Sequence, residues 1–281
     1  MFRREFLLVG HGSRVAEANA QFYMFEAALA SHLGQPIRHC FVELVEPDLW
    51  AGLTAAAQEA GPGSEVVILP LFLGAALHVK HEIAGVVARA AEAFPGVTFR
   101  YALPLGFHVK LAELLDIRVR AALSTIPEAL PSEETTVLVV GGGSSDPDSN
   151  SSVNRVARVL YEYGHYAAVE VAFQRVTTPT TADGVACCHQ LGAKQVVVAP
   201  YLLFTGIVHQ KTCQAAEDKA RQLGLKLIHA SYLGPTHSLL LDVAVQRMTE
   251  ALDGTADRLR RQPVDGFSVA ASGEPSIQEP R

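Results

Sequence analysis

Along the first 124 residues, short apolar runs rich in β-branched residues alternate with longer stretches whose apolar positions recur every three or four residues. The short runs predict strands near 5–10, 37–42, 65–69 and 97–101. The longer ones predict helices near 16–33, 47–59, 78–94 and 109–123. The most apolar stretch, VVILPLFLGAALHV from Val66 to Val79, is interrupted by Pro70 and Gly74 and is too short to span a bilayer. It reads as a strand buried on both faces, followed by a loop. Strands alternating with helices of this length imply βαβ units and a parallel sheet covered on both sides, an α/β fold.

The same order then recurs, with strands expected near 136–141, 169–173, 195–199 and 226–231 and helices near 150–163, 180–191, 208–223 and 238–252. Landmarks recur with it. VGHGS (Val9–Ser13) faces VGGGS (Val140–Ser144), FVELVEP (Phe41–Pro47) faces FQRVTTP (Phe173–Pro179), and LGFH (Leu105–His108) is echoed by LGPTH (Leu233–His237). VVILP…HVK, ending at Lys80, faces VVVAP…HQK, ending at Lys211 and one residue longer. A period of about 130 residues is far beyond solenoid repeats, so each copy is expected to be a whole domain. The expected division is an N-terminal domain at 1–124, a proline-containing linker at 125–135, a diverged C-terminal domain at 136–253 and a flexible tail at 254–281.

Composition narrows the function classes. The chain has 281 residues, about half of them apolar, and a net charge of −6. It therefore presents no basic field for nucleic acid or an anionic membrane surface, and neither is expected as a partner. The four cysteines, Cys40, Cys187, Cys188 and Cys213, form no C-x-x-C pair, which speaks against a disulfide framework or structural zinc site and suits a reducing cytosol. The apolar part of MFRREFLLVGHGS is too short for a secretory signal, so a cytoplasmic location is expected.

Candidate chemistry gathers where a parallel sheet places it, at the carboxyl ends of the strands. His11 ends the first strand, Glu43 follows the second, and His78 opens the helix after the third. Two neutral imidazoles and a carboxylate suit a first-row divalent cation and can also accept protons near neutral pH. Each residue alone also fits a plainer role, since a glycine-flanked turn at a helix start cradles phosphate without any side chain. In the second half Gly142 stands opposite His11, Arg175 opposite Glu43 and His209 opposite His78, so the copies share a scaffold but not a ligand set. Glycine occupies the turn in the second copy, which points to a use for the His11 ring and to one active site per chain.

The motifs GHGSRxxxxNxxF, ExxxPDL and the proline-ended strand leading to HVK resemble the sirohydrochlorin chelatases of the CbiX or SirB type. The second half, GGGSSDPDSN…AFQRVTTP…PYLLFTGIVHQK, looks like the second module of their long, two-domain form. The resemblance implies two tandem chelatase-like domains facing a shared cleft. It also implies ATP-independent insertion of a divalent metal into sirohydrochlorin, with His11, Glu43 and His78 as the metal-binding and proton-accepting residues. Cobalt is the expected metal, with Fe2+ or Ni2+ as alternatives; no organic cofactor and no iron–sulfur cluster are expected. One departure is HVKHEIA where the family commonly has HVxxDIP: an acid is kept in Glu82, the proline is lost, and His81 is added one helical turn from His78.

A tetrapyrrole carries carboxylates around its rim, and the repeat sets Arg14, Lys80, Arg175, His209 and Lys211 near the cleft edges as candidate substrate contacts. His108 and His237 either line the cleft or start helices. Fusion of two copies suggests a monomer, or at most a weak homo-oligomer. The competing readings are a ferrochelatase serving siroheme, a non-catalytic metal or tetrapyrrole carrier, and a phosphoanion-binding domain pair. A serine hydrolase is disfavoured because Asp146 replaces the last glycine of the G-x-S-x-G elbow.

Overall fold

The computed structural model describes residues 2–74 and 77–255, and for 77–79 the backbone only. The first half runs β1 (Arg4–Gly10), α1 (Ala16–Leu33), β2 (Arg38–Phe41), α2 (Leu49–Ala60), β3 (Ser64–Pro70), α3 (Leu77–Ala93), β4 (Val97–Tyr101) and α4 (Val109–Ser124). The second runs β5 (Thr136–Gly141), α5 (Pro147–Gly164), β6 (Ala168–Phe173), α6 (Thr181–Gln190), β7 (Gln195–Tyr201), α7 (Ile207–Leu223), β8 (Lys226–His229) and α8 (Ser238–Leu252). Every strand and helix expected from the pattern is present. The largest displacement is the start of α5, three residues early. There the Asp146 side chain accepts the Asp148 N–H, and Pro147 sits in the first turn, where its missing N–H costs nothing.

The strands form two parallel four-stranded sheets, ordered β2-β1-β3-β4 and β6-β5-β7-β8. In each, the chain leaves the first strand to one side and returns on the other. The carboxyl ends of β1 and β5 therefore lie at the point where a crevice opens. Successive strand residues point to opposite faces, and both faces are buried. Phe6, Leu8, Val67 and Leu69 face a core shared by both halves, whereas Leu7, Val9, Val66 and Ile68 face an outer core under α2 and α3. In the second half, Val137, Val139, Val197 and Ala199 join the shared core, and Leu138, Val140, Val196 and Val198 pack under α6 and α7.

The repeats are not separate packing units. Helix α4 leaves the first sheet and packs on β7 and β8, while α8 leaves the second and packs on β3 and β4. The ranges 1–124 and 136–253 are thus copies in sequence that each pack their last helix on the other's sheet. The reason is apolar surface: Leu111, Leu114, Leu115 and Val119 of α4 and Leu240, Val243, Ala244 and Met248 of α8 are buried in the common core. Two equivalent arginines tie the crossing. The Arg118 guanidinium of α4 donates to the Leu233 carbonyl at 2.6 Å, and that of Arg247 in α8 donates to the Leu105 and Phe107 carbonyls at 2.9 and 3.1 Å.

The connection at 125–135 is held against the second half. The buried Gln195 side chain accepts the Leu130 N–H and donates to the Thr135 hydroxyl. The tail expected from 254 onward lies, beyond Thr255, outside the described residues. No helix among the described residues is long and apolar enough to cross a membrane.

Candidate active site

The site begins with a turn that both halves share. After β1 and β2 the parallel ladder continues for two more bonds, Val42 N–H to Gly10 O and Glu43 N–H to His11 O, at 2.9 and 3.0 Å. These bonds set residues 11 and 43 side by side. Glu43 then begins a three-residue turn, in which Leu44 takes φ 68° and the Val45 N–H bonds the Glu43 carbonyl. The second half repeats it: Val176 has φ 69° and the Thr177 N–H bonds the Arg175 carbonyl. Gly12 and Gly143, at φ 89° and 82°, lie so close to these turns that an added Cβ would fall 1.8 Å from the Glu43 and Arg175 carbonyl oxygens. The glycine directly before the serine of each motif, Gly12 or Gly143, is therefore the one the backbone requires.

His11 and Glu43 face each other on this scaffold. Nδ1 of His11 is 3.3 Å from Oε1 of Glu43, and both side chains are open to solvent, at 46% and 55% exposure. The ring of Phe72, two residues past β3, lies beside the imidazole at an interplanar angle of 60° with ring centroids 6.2 Å apart. Two donors each about 2.0–2.1 Å from a tetrahedral ion stand roughly 3.3–3.4 Å apart, so a nitrogen and an oxygen at this spacing fit one first-row cation. His78 lies in the first turn of α3, and its side chain is outside the described residues. Among the described residues no three His, Cys, Asp or Glu side chains form a complete metal-holding group. What is described is an accessible two-donor edge.

The remaining candidates separate into free and engaged groups. Arg14, Arg175 and Lys211 are exposed, and among the described residues none of them has an ion-pair partner. Lys80 is engaged across the cleft: its Nζ is 2.6 Å from Oδ2 of Asp146, which is 5% exposed, and 3.6 Å from Asp148. His209, on the first turn of α7, is half-buried with its ring edge-on to Tyr232 and its Nε2 3.6 Å from the Cys213 sulfur. Burial, and next to it His229, lowers its pKa below the usual histidine value. Gln21 of α1 fastens this corner by donating to the Tyr232 hydroxyl and accepting the Thr205 N–H at 2.9 Å.

The contact is reciprocal about the repeat. Gly206 approaches Ala18 of α1, and Gly74 approaches Ser149 of α5. Ala18 and Ser149 are equivalent positions, as are the loops ending β3 and β7.

His108 and His237 resolve to the second of their two readings. Each is the N-cap of the helix that follows, Nδ1 accepting the N–H of Lys110 or Leu239. His81 is exposed on α3. Sequence reasoning passed over Asp146, Gln21 and Phe72. Only Asp146 left a signal, the DPD that starts α5.

Comparison with known proteins agrees with this architecture. The CbiX family model matches twice, over residues 5–122 and 136–251. The sirohydrochlorin cobaltochelatase of Priestia megaterium is 32% identical over 254 residues, covering 90% of this chain and 81% of that protein. The sirohydrochlorin ferrochelatase of the same organism is 31% identical over 229 residues, 81% and 83% of the two chains. Among solved structures, SirB from Bacillus subtilis with Fe3+ superposes with a TM-score of 0.78 at 26% identity, covering 91% of this chain and 99% of its own. With two matched modules, a His-bearing turn in the first and its glycine counterpart in the second, the chain belongs to the CbiX family.

Proposed function

We propose that this protein is a sirohydrochlorin chelatase, inserting a divalent metal into the tetrapyrrole without ATP, with cobalt as the metal and iron as the alternative. The observation that carries the reading is the 3.3 Å approach of His11 Nδ1 to Glu43 Oε1 on an open strand edge. It is supported by relatives bearing both the cobalt and the iron activity.

In this reading His11 and His78 take up the incoming ion as neutral imidazoles, and Glu43 completes the set and accepts a pyrrole proton. A shell left short of four protein ligands gives the ion up to the macrocycle, where a closed site would retain it. Neutral histidine suits both halves of the task, since it offers a lone pair at pH 7 and can take a proton once the metal has left. Arg14, Arg175 and Lys211, exposed and without an ion-pair partner among the described residues, meet the substrate's carboxylates. Lys80 can join them only by leaving Asp146, and His209 contributes from the rim of the second half. The enzyme works in the cytoplasm as a monomer or weak homo-oligomer.

The test is anaerobic titration of metal-free sirohydrochlorin with Co2+, Fe2+ and Ni2+, followed by absorbance with and without the protein. Insertion faster than the uncatalysed rate, fastest with cobalt, is expected. Binding without any acceleration would make the protein a carrier and overturn the proposal.

A further inference from the structure

Gly142 is a glycine that its backbone does not need. Its φ is ordinary, and a Cβ added there would meet nothing nearer than Leu202 Cδ2 at 3.9 Å. Its neighbour Gly143, by contrast, is held by the Arg175 carbonyl. The first half fills the equivalent position with His11. The missing side chain leaves space, and a cavity of about 210 Å³ lies there. Its walls come from both halves: Phe72 and Gly74 of the loop that leads to His78, and Gly142, Ser149, Arg175 and Leu202 of the second half.

The size and charge of this cavity specify an occupant. Sites that enclose a whole ligand run to about 300–1,000 Å³, so this one takes an arm and not a macrocycle. Its walls are largely apolar, with Arg175 as a cation that no carboxylate among the described residues pairs. Asp146, the acid that ends the same turn, is already committed to Lys80 and to the Asp148 N–H. A short methylene stem ending in a carboxylate matches that combination, because the stem packs on the apolar wall while the guanidinium pairs the acid.

We infer that this cavity is a subsite for one carboxylate-bearing arm of the tetrapyrrole, kept open by Gly142 and charge-matched by Arg175. The inference rests on the chelatase reading and adds a role for the diverged half: it anchors the substrate in a cavity whose Phe72 wall also lies beside the His11 ring. An arm seated there also touches the 71–74 segment that follows β3.

The experiment is equilibrium binding of metal-free sirohydrochlorin, and of its fully methyl-esterified derivative, to the wild type and to Gly142→Leu and Arg175→Ala. Each variant is expected to raise the dissociation constant for the free acid about tenfold, whereas Arg175→Ala leaves ester binding as in the wild type. Thermal unfolding identifies any variant that fails to fold; Arg175→Ala, at an exposed position, then carries the test alone. Unchanged affinity for the acid in either folded variant overturns the subsite, as does an equal loss for acid and ester in Arg175→Ala. If the wild type inserts metal but Gly142→Leu binds normally, only the subsite falls. If the wild type binds no sirohydrochlorin, the chelatase reading falls with it.

Discussion

Lys80 of the first half and Asp146 of the second are joined at 2.6 Å across the cleft. Asp146 is almost fully buried, caps α5 by accepting the Asp148 N–H, and donates its own N–H to the Ser144 hydroxyl oxygen. One side chain therefore starts a helix and fastens α3, the helix that His78 opens, to the opposite half. Asp146→Ala removes a cap and the nearer of the two carboxylates at Lys80, so it is expected to cost about 2–3 kcal/mol in urea unfolding. Asp146→Asn keeps a capping oxygen and should lose less than half as much. Equal losses would show that the ion pair, not the cap, dominates.

The glycine turns give a sharper contrast. Gly12→Ala places a methyl against the Glu43 carbonyl in a left-handed backbone, whereas Gly142→Ala enters open space at an ordinary φ. The first should destabilise the protein by 2 kcal/mol or more, as a rough figure for strain plus clash, and the second by less than about 0.5. Comparable denaturation midpoints for the two variants would contradict the turn geometry described above.

Activity should follow the His11–Glu43 edge. His11→Ala is expected to abolish metal insertion with an unchanged unfolding curve, because the ring is half exposed and buries little. Glu43→Gln keeps size and polarity but removes the proton acceptor, and a fall in kcat of about 10²-fold or more is expected. Stopped-flow absorbance of sirohydrochlorin measures both. Near-normal insertion by His11→Ala would refute the assignment.

The histidine caps predict a pH dependence of stability. His108 and His237 accept backbone N–H groups at Nδ1, which only the neutral imidazole can do, and burial is the first cause lowering both pKa values. Such a group binds its proton more weakly in the folded than in the unfolded chain. Its stabilisation is therefore fully present above the unfolded value near 6.5 and is lost as pH falls from there through the folded value. Unfolding free energy should drop between pH 7 and pH 5, by less than about 1 kcal/mol per cap because the rings are partly solvated. Asn at both positions caps without titrating, so the double variant His108→Asn, His237→Asn should flatten that part of the profile. An identical slope in wild type and double variant would assign the acid sensitivity elsewhere.

The sequence alone determined the elements, the parallel sheets and the duplication, because these follow from rules that act over a few residues: alternation in strands, the helical period, and proline and glycine at turns. It also brought His11 and Glu43 to one rim, since both follow adjacent parallel strands, and the ladder bonds of β1 to β2 set the two side by side. It did not disclose that Gly12, and not position 11, is the backbone's requirement, nor that the linker is held by Gln195. Those facts depend on what approaches from elsewhere.

Only the tertiary structure decided how the two copies become one molecule. The exchange of α4 and α8, the reciprocal arginines and the pairing of Lys80 with Asp146 join residues that are 66 or more positions apart. No local period encodes such partners. They are chosen by which apolar faces remain uncovered once each sheet has formed, and by the register in which the halves then meet. That register also leaves a cavity between Phe72 and Gly142, where the pattern along the chain showed only the middle one of three glycines.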